Sequence, residues 1–492
     1  MALIYGLLIL SQIDWGIPRP GRVFVYQMDE WHTLQAVRGV YKLGSNNIPG
    51  AAAGPMLFYL MSGLGLVPWV ATGIVHIKEI TSAYIALGEQ QKIFWILRSF
   101  NMIWGVGALI FFDRILRDFF GLGQRTRLWA ALLWLWSPIW VTLSGYFKYD
   151  IAVAFWLTAN LYFALAYIQK KSLKFLWLAA IVSGLGIATK ISALPSLGLV
   201  LWAWFAQREG RSWKNLGQAL LIVGVLFATL GAPDVIFRGR NWGDQPKDVF
   251  IDRPHDWDNL RIAGTYWQFL LTREFPEIFG YGLYGLALLG IWHFFRKPDK
   301  NSFTVSLGLL GAYTSLTFLG IWGGSNRASV LLPYGAVLAG TALGALNWRR
   351  SIAVVLITWQ MGQSITWLGF KWRPDLRQTS QILTLKPVGV ENIPIYQMLP
   401  DQVLLQVYRR SAQFPVISVS ASKLPDTVLV TDDQIEPLLW RKTAKTELLQ
   451  RLSHENFRKT QGFSVDMGVV NPIIFKIANL IPMPLSIGVY ER

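Results

Sequence analysis

Hydrophobic positions in this chain gather into long unbroken runs separated by short polar connections. An α-helix rises 1.5 Å per residue, so about 20 apolar residues cross the hydrocarbon core of a bilayer. Runs of that kind occupy Met1–Ile13 (short for a crossing), Ile93–Phe112, Leu128–Tyr146, Ile151–Ile168, Phe175–Thr189, Ile191–Ala206 and Leu216–Pro233. Four more follow at Glu277–Phe295, Phe303–Trp322, Val330–Leu346 and Ile352–Phe370. The pattern predicts an α-helical polytopic membrane protein of about 11 spans. After Phe370 the rhythm changes. Apolar runs shorten to strand length (PVISVSA, DTVLVT, LSIGVY) and alternate with helix-like stretches at Gln402–Ala412 and Lys442–Thr460. Residues 371–492 therefore read as a small C-terminal α/β domain on the outer face, following a membrane domain over 1–370. No GxGxxG or Walker loop gives it a nucleotide site.

Charge orients this bundle. The chain has 492 residues, 53% hydrophobic and 15% charged, with a formal net charge of +17. A soluble protein so basic would suggest nucleic acid, but here the basic residues cluster between apolar runs and read as anchors at an anionic membrane face. They fill alternate connections: Arg114, Arg117, Arg125 and Arg127; Lys170, Lys171 and Lys174; Arg208, Arg211 and Lys214; Arg296, Lys297 and Lys300; Arg349 and Arg350. Positive charge favours the cytoplasmic side. Counting the apolar stretch Gly54–Ile77 as a span would put every later basic loop on the wrong side. It is therefore expected to lie along the outer interface. The outer side then receives loop 14–91, the turns at Phe147–Asp150, Lys190 and Gly323–Arg327, and loop 234–276. Such a topology fits a bacterial plasma membrane with the active site facing away from the cytoplasm. The chain has no cysteine, which excludes disulfides, thiolate metal sites and cysteine nucleophiles. No basic n-region precedes the first apolar run, so no cleavable signal peptide is expected.

Candidate chemistry falls on the outer side. Asp29 and Glu30 precede a short amphipathic helix pattern. A carboxylate there could take the proton of an attacking hydroxyl, or the two acids could be a solvated pair at the start of a helix near Trp31. His32 shares their helical turn. Asp150 heads an apolar run in YFKYDIAVAF, where an acid either faces a cavity or partner or caps the helix beside Lys148. Lys190, in GLGIATKISALP, and Arg327, in GGSNRASVLLP, are either phosphate-holding cations or lysine and arginine snorkelling to the interface. Asp244, Asp248, Asp252 and Asp256 are spaced at fours, but Pro246 and Pro254 interrupt any common helix, so loop 234–276 reads as a mobile lid or substrate loop. The five histidines show no HExxH or HxxxH spacing, and no Gly-x-Ser-x-Gly appears.

Taken in order, these pieces resemble the membrane glycosyltransferases of the GT-C fold, closest to the protein O-mannosyltransferase and lipid A aminoarabinose transferase group. The likeness lies in MDEWHTLQAVRGVYKLG, the Gly/Pro turn before GPMLFYLMSGLGL, YFKYDIAVAF, the G-x-x-x-x-T-K element from Gly184 to Lys190, and Arg327 ahead of Leu332-Pro333. It covers roughly Tyr26–Tyr334. The resemblance implies inverting transfer of a sugar from a polyprenyl- or dolichyl-phosphate carrier to a protein, lipid or glycan acceptor. By that analogy Asp29 is the base, and Glu30 and Asp150 bind acceptor, sugar or metal. Lys190, Arg327 and Arg38 hold the carrier phosphate. One departure bears on cofactors. The aminoarabinose transferases have an acid and a lysine just before the turn proline, where this chain has Ala53 and Gly54. No metal site is assigned for that reason, and leaving-group stabilisation falls to lysine and arginine. A transporter or flippase of lipid-linked saccharides is the alternative from another class. It predicts charges at mid-membrane depth and helices broken in related halves. A membrane scaffold, the third reading, would tolerate replacement of Asp29 and Asp150.

Overall fold

The structure, a computed structural model, describes residues 1–14, 17, 28–41, 57–76, 87–207, 211–231, 271–272, 275–318, 325–345, 350–371, 388–390, 427–431, 450, 452–456, 458–464 and 486–491. The chain divides into two compact units, one of Met1–Trp15 with Asp29–Leu368 and one of Gly16–Met28 with Gly369–Arg492.

The first unit is an α-helical membrane bundle. Its helices are α1 (Ala2–Leu10), α2 (Met28–Tyr41), α3 (Leu57–Ala71), α4 (Leu87–Asp118), α5 (Gln124–Leu135), α6 (Pro138–Ser144), α7 (Asp150–Lys170) and α8 (Leu173–Thr189). Then come α9 (Pro195–Ala206), α10 (Trp213–Leu226), α11 (Phe275–Phe279), α12 (Tyr281–Arg296), α13 (Lys300–Phe318), α14 (Leu332–Ala345) and α15 (Arg350–Lys371). Among the described residues four helices are long and apolar enough to cross a membrane: Gln91–Asp118, Asp150–Lys170, Trp213–Gly231 and Ala328–Ala345. Two of them, α7 and the helix over Ala328–Ala345, are buried almost all round, as helices hydrophobic on every face should be. Helix α7 packs against α4, α8 and α9, and α14 against α5, α12 and α13. Large apolar side chains point outward from the surrounding helices, among them Ile103 on α4, Leu221 on α10, Trp292 on α12 and Val355 on α15. In lipid that outer surface is the satisfied one.

Several elements differ from the sequence expectation. The single run over Leu128–Tyr146 is two helices, because Pro138 holds Ser137 extended (φ −66°, ψ 129°) and starts α6 at its first position. The run over Glu277–Phe295 is cut at Gly280, whose φ of +86° suits glycine. Helix α4 begins at Leu87 and continues to Asp118, so Arg114 and Arg117 lie on its last turns rather than in a loop. The turn at Gly323–Arg327 is in part a 3-10 helix, Ser325–Leu331.

Each interruption leaves helix-end N–H and C=O groups that lipid cannot satisfy. Buried polar side chains fill the role. Gln360, fully buried on α15, donates to the Leu133 carbonyl at the end of α5 and accepts from the Leu283 N–H at 2.9 Å near the start of α12. Ser364 donates to the Trp136 carbonyl at 2.5 Å, and Gln12 to Val141 at 3.1 Å. Asn101 donates to the carbonyls of Ser144 (3.2 Å) and Tyr146 where α6 ends.

The second unit contains a four-stranded mixed sheet among its described residues. Its strands are β1 (Val388–Val390), β2 (Thr427–Thr431), β3 (Arg458–Ser464) and β4 (Ser486–Glu491), in the order β1-β2-β4-β3. Only β1 and β2 run parallel, and the β3–β4 register shifts between Lys459 and Gln461. Strand β2 and most of β4 lie within the DTVLVT and LSIGVY runs. The end of the helix expected over Lys442–Thr460 is instead strand β3, where pairing with β4 overrides the local helical pattern. The runs at PVISVSA and Gln402–Ala412 fall outside the described residues.

Close approach of α12 and α14 gives a test of the bundle. A Cβ on Gly290 would collide with the Leu338 backbone carbonyl, whereas Gly285 on the same helix has open space. Gly290→Leu is expected to lower thermal stability in detergent by about 1–3 kcal/mol, and Gly285→Leu to stay within about 0.5 kcal/mol. Equal effects at both positions would contradict this packing.

Candidate active site

Helix α2 carries the acidic pair in its first turn, starting at Met28 rather than near Trp31. Glu30 is fully buried, which removes the solvated-pair alternative for that residue. Its partner is Arg98 of α4, also fully buried. Arg98 Nε meets Glu30 Oε1 at 2.8 Å and Nη2 meets Oε2 at 2.7 Å, a two-pronged ion pair. The remaining guanidinium nitrogen, Nη1, donates to the carbonyls of Ile13 (2.8 Å) and Gln12 (3.4 Å) at the end of α1. Glu30 Oε1 also accepts the Phe147 N–H at 2.7 Å. One carboxylate thus ties α2, α4, the end of α1 and the turn before α7 together.

That turn leads to Asp150 within three residues. Asp150 is the first residue of α7, behind Tyr149 as cap, where the helix dipole favours a negative charge. The carboxylate is 1% exposed and stands between two cations. Lys190 Nζ is 2.7 Å from Oδ1, and Lys148 Nζ is 3.7 Å from Oδ2. The Lys190 ammonium also sits 4.3 Å from the centroid of the Tyr149 ring, a cation–π contact. Asp150 therefore does not cap α7 with its side chain.

Lys190 reaches this position because α8 stops at Thr189. Lys190 is extended (φ −162°, ψ 134°), a single 3-10 turn covers Ile191–Ala193, and Pro195 starts α9. Thr189 is fixed by accepting the Trp156 indole N–H at 3.0 Å and donating to Leu185 at 2.9 Å. Phe58 of α3 packs on both Phe147 and Tyr149, at 5.2 and 6.1 Å between ring centres. The 3-10 segment bearing Arg327 packs against α7 and the Ile191–Ala193 turn.

The expected residues divide as follows. Asp150 and Lys190 are in direct contact, and Glu30 is linked to their turn through Phe147. Asp29 and His32 lie on α2 and Arg327 in its 3-10 segment, but their side chains are outside those described. Arg38 is 5% exposed on α2, and desolvation draws its pKa below the usual arginine value. Tyr41, one turn on, donates to the Gly63 carbonyl of α3 at 2.5 Å, and burial raises its pKa. Asp244, Asp248, Asp252 and Asp256 fall outside the described residues. Among the described residues no three acidic or histidine side chains come together as metal ligands would. Arg98 and the role of Lys148 were not anticipated. The available signal for Arg98 was a lone charge inside an apolar run, which calls for a buried partner.

Fold and site define a polytopic helical membrane protein with ion-paired acids where several of its turns and helix ends meet. Residues 80–237, which include α4 to α10, match the family described as dolichyl-phosphate-mannose-protein mannosyltransferase. The chain thus resembles the GT-C membrane glycosyltransferases. The crystal structure of ArnT from Cupriavidus metallidurans bound to undecaprenyl phosphate superposes with a TM-score of 0.48 and 13% identity, covering 99% of this chain and 96% of that one. The apo structure of the same protein gives 0.34 and 16% identity, with 88% and 91% covered. No curated protein sequence matches the chain.

The Glu30–Arg98 pair yields a prediction. Arg98→Met or Glu30→Leu alone leaves a buried charge unpaired and is expected to destabilise the protein by about 3–5 kcal/mol. The double variant should recover much of that loss, read by thermal unfolding in detergent. Additive losses would show that the two side chains do not act as a pair.

Proposed function

We propose that this chain transfers a sugar, with inversion, from a polyprenyl-phosphate or dolichyl-phosphate carrier to a protein, lipid or glycan acceptor. The reaction takes place at the extracytoplasmic face of a bacterial plasma membrane. The observation that carries the reading is the Asp150–Lys190 contact at 2.7 Å, in a turn that the Phe147 N–H ties to Glu30 on the helix that also bears Asp29. It places an acid and a cation together where several separate segments meet, in a segment that resembles the mannosyltransferase family.

The chemistry follows from those groups. The acceptor oxygen attacks the anomeric carbon as the bond from that carbon to the phosphate oxygen breaks. The electron pair leaves with polyprenyl phosphate, and the acceptor proton passes to the Asp29 carboxylate. Lys190, Arg327 and Arg38 stabilise charge growing on the phosphate, an interaction worth most where water is excluded. Asp150 holds Lys190 in place and binds acceptor or sugar. Glu30, committed to Arg98 and Phe147, anchors α2, the helix that bears Asp29.

Helix interruptions at Ser137 and Lys190 also suit a carrier of lipid-linked saccharides. Purified protein in detergent separates the two readings, since sugar transfer can be scored there and transport cannot.

Asp29→Asn is expected to reduce transfer at least 1000-fold while expression and thermal stability hold; full activity would remove the base assignment. Lys190→Ala should lower kcat/KM for the lipid-phosphate sugar about 100-fold and leave the acceptor KM within threefold. A change in acceptor KM alone would reassign the lysine. Transfer measured by mass spectrometry with and without chelator is expected to agree within twofold.

A further inference from the structure

Helix α7 ends about 30 Å from Asp150 by its 21 residues of rise, and a second feature lies at that far end. A groove of about 670 Å³ opens there, bordered by Lys171, Trp202, Phe205, Gln207, Lys300 and Phe303 among others. Three of the basic connections converge on it: Lys170 to Lys174, the end of α9, and Arg296 to Lys300. We propose that this groove binds the headgroup of an anionic phospholipid from the leaflet opposite the Asp150 site. The inference does not depend on the transfer reaction.

Charge is the first argument. Lys171 and Lys300 border the groove with one acid, Asp299. That acid is already engaged, because Asp299 Oδ1 accepts the N–H groups of Asn301 (2.9 Å) and Ser302 (2.8 Å) at the start of α13. Lys300 is directed across the opening by donating to the Ala206 carbonyl at 2.8 Å. Lys171 is held in the left-handed region (φ 57°) as α7 ends, its N–H still bonded to Tyr167.

The second argument is Gln207. It is only 4% exposed, yet its side-chain Nε2 has no hydrogen-bond partner among the described residues. Buried amides are nearly always satisfied, and a phosphodiester or glycerol oxygen seated against Gln207 supplies the acceptor.

The wall is the third. Trp202 gives its indole N–H to Thr304 at 3.0 Å, so its ring face is left for apolar contact. It packs on Phe303 (4.8 Å) and Phe205 (6.0 Å), and Phe303 meets Phe294 at 6.0 Å. Aromatic rings are enriched at membrane–water boundaries. Lysines and rings lining one groove match an anionic headgroup with acyl chains. Free phosphate would use only the lysines.

The test uses full-length protein in phosphatidylcholine nanodiscs, with phosphatidylglycerol titrated in and retained lipid counted by native mass spectrometry. Phosphatidylglycerol is expected to bind at least tenfold more tightly than phosphatidylcholine. Lys171→Asn, chosen because asparagine tolerates the left-handed backbone, should weaken it about fivefold, the share of one basic residue near an anionic surface. Gln207→Leu should weaken it as well, and Arg125→Ala, in a basic connection away from the groove, should leave it unchanged. Loss at Arg125 equal to that at Lys171 would show only a general basic surface and overturn the site. Equal retention of both lipids, or equal competition by soluble glycerol 3-phosphate, would overturn it too.

Discussion

A backbone group without a partner is costlier inside a bilayer than almost anywhere else in a protein. This bundle interrupts its helices at Ser137, Lys190 and Gly280, and the rest of the structure answers that requirement. Gln360 and Ser364 reach from α15, Gln12 from the end of α1 and Asn101 from α4, each to carbonyls at or near a helix end. Such residues look misplaced in an apolar interior when taken singly. Their contacts explain why they are fully or nearly fully buried.

The same economy of buried polar groups shapes the candidate site. Arg98 crosses from α4 to serve one carboxylate and two carbonyls, and Glu30 serves one guanidinium and one N–H. A lone charge at this depth would be strongly unfavourable; a two-pronged pair with its remaining donors used is tolerable and fixes orientation. The break after α8 then delivers Lys190 to Asp150. The result is a set of charged residues drawn from α2, α4, α7 and the α8–α9 break, all anchored to backbone or to each other.

Much of this was legible in the chain. Asp150 at the head of α7 and the break around Lys190 follow from an acid and a Lys-x₄-Pro punctuation at the ends of apolar runs, which local rules read well. The helix over Met28–Tyr41 follows from its amphipathic pattern. Arg98 was not seen, because one cation among some twenty apolar residues barely changes the average. The sequence leaves Glu30 open between a solvated and a functional acid for a related reason: its partner is 68 positions away, and no local rule connects them. The split at Pro138 was locally visible but outweighed by the hydropathy of its flanks. The start of β3 was hidden because its partner strand comes later in the chain.

The contact between Lys190 and Asp150 also has a mechanical consequence. Lys190 is fastened to the Asp150 carboxylate at 2.7 Å and to the Tyr149 ring, so the break between α8 and α9 is clamped to the head of α7. Pulling the two apart would separate opposite charges out of reach of water, which makes this crossing of three helix ends a stiff joint in the bundle.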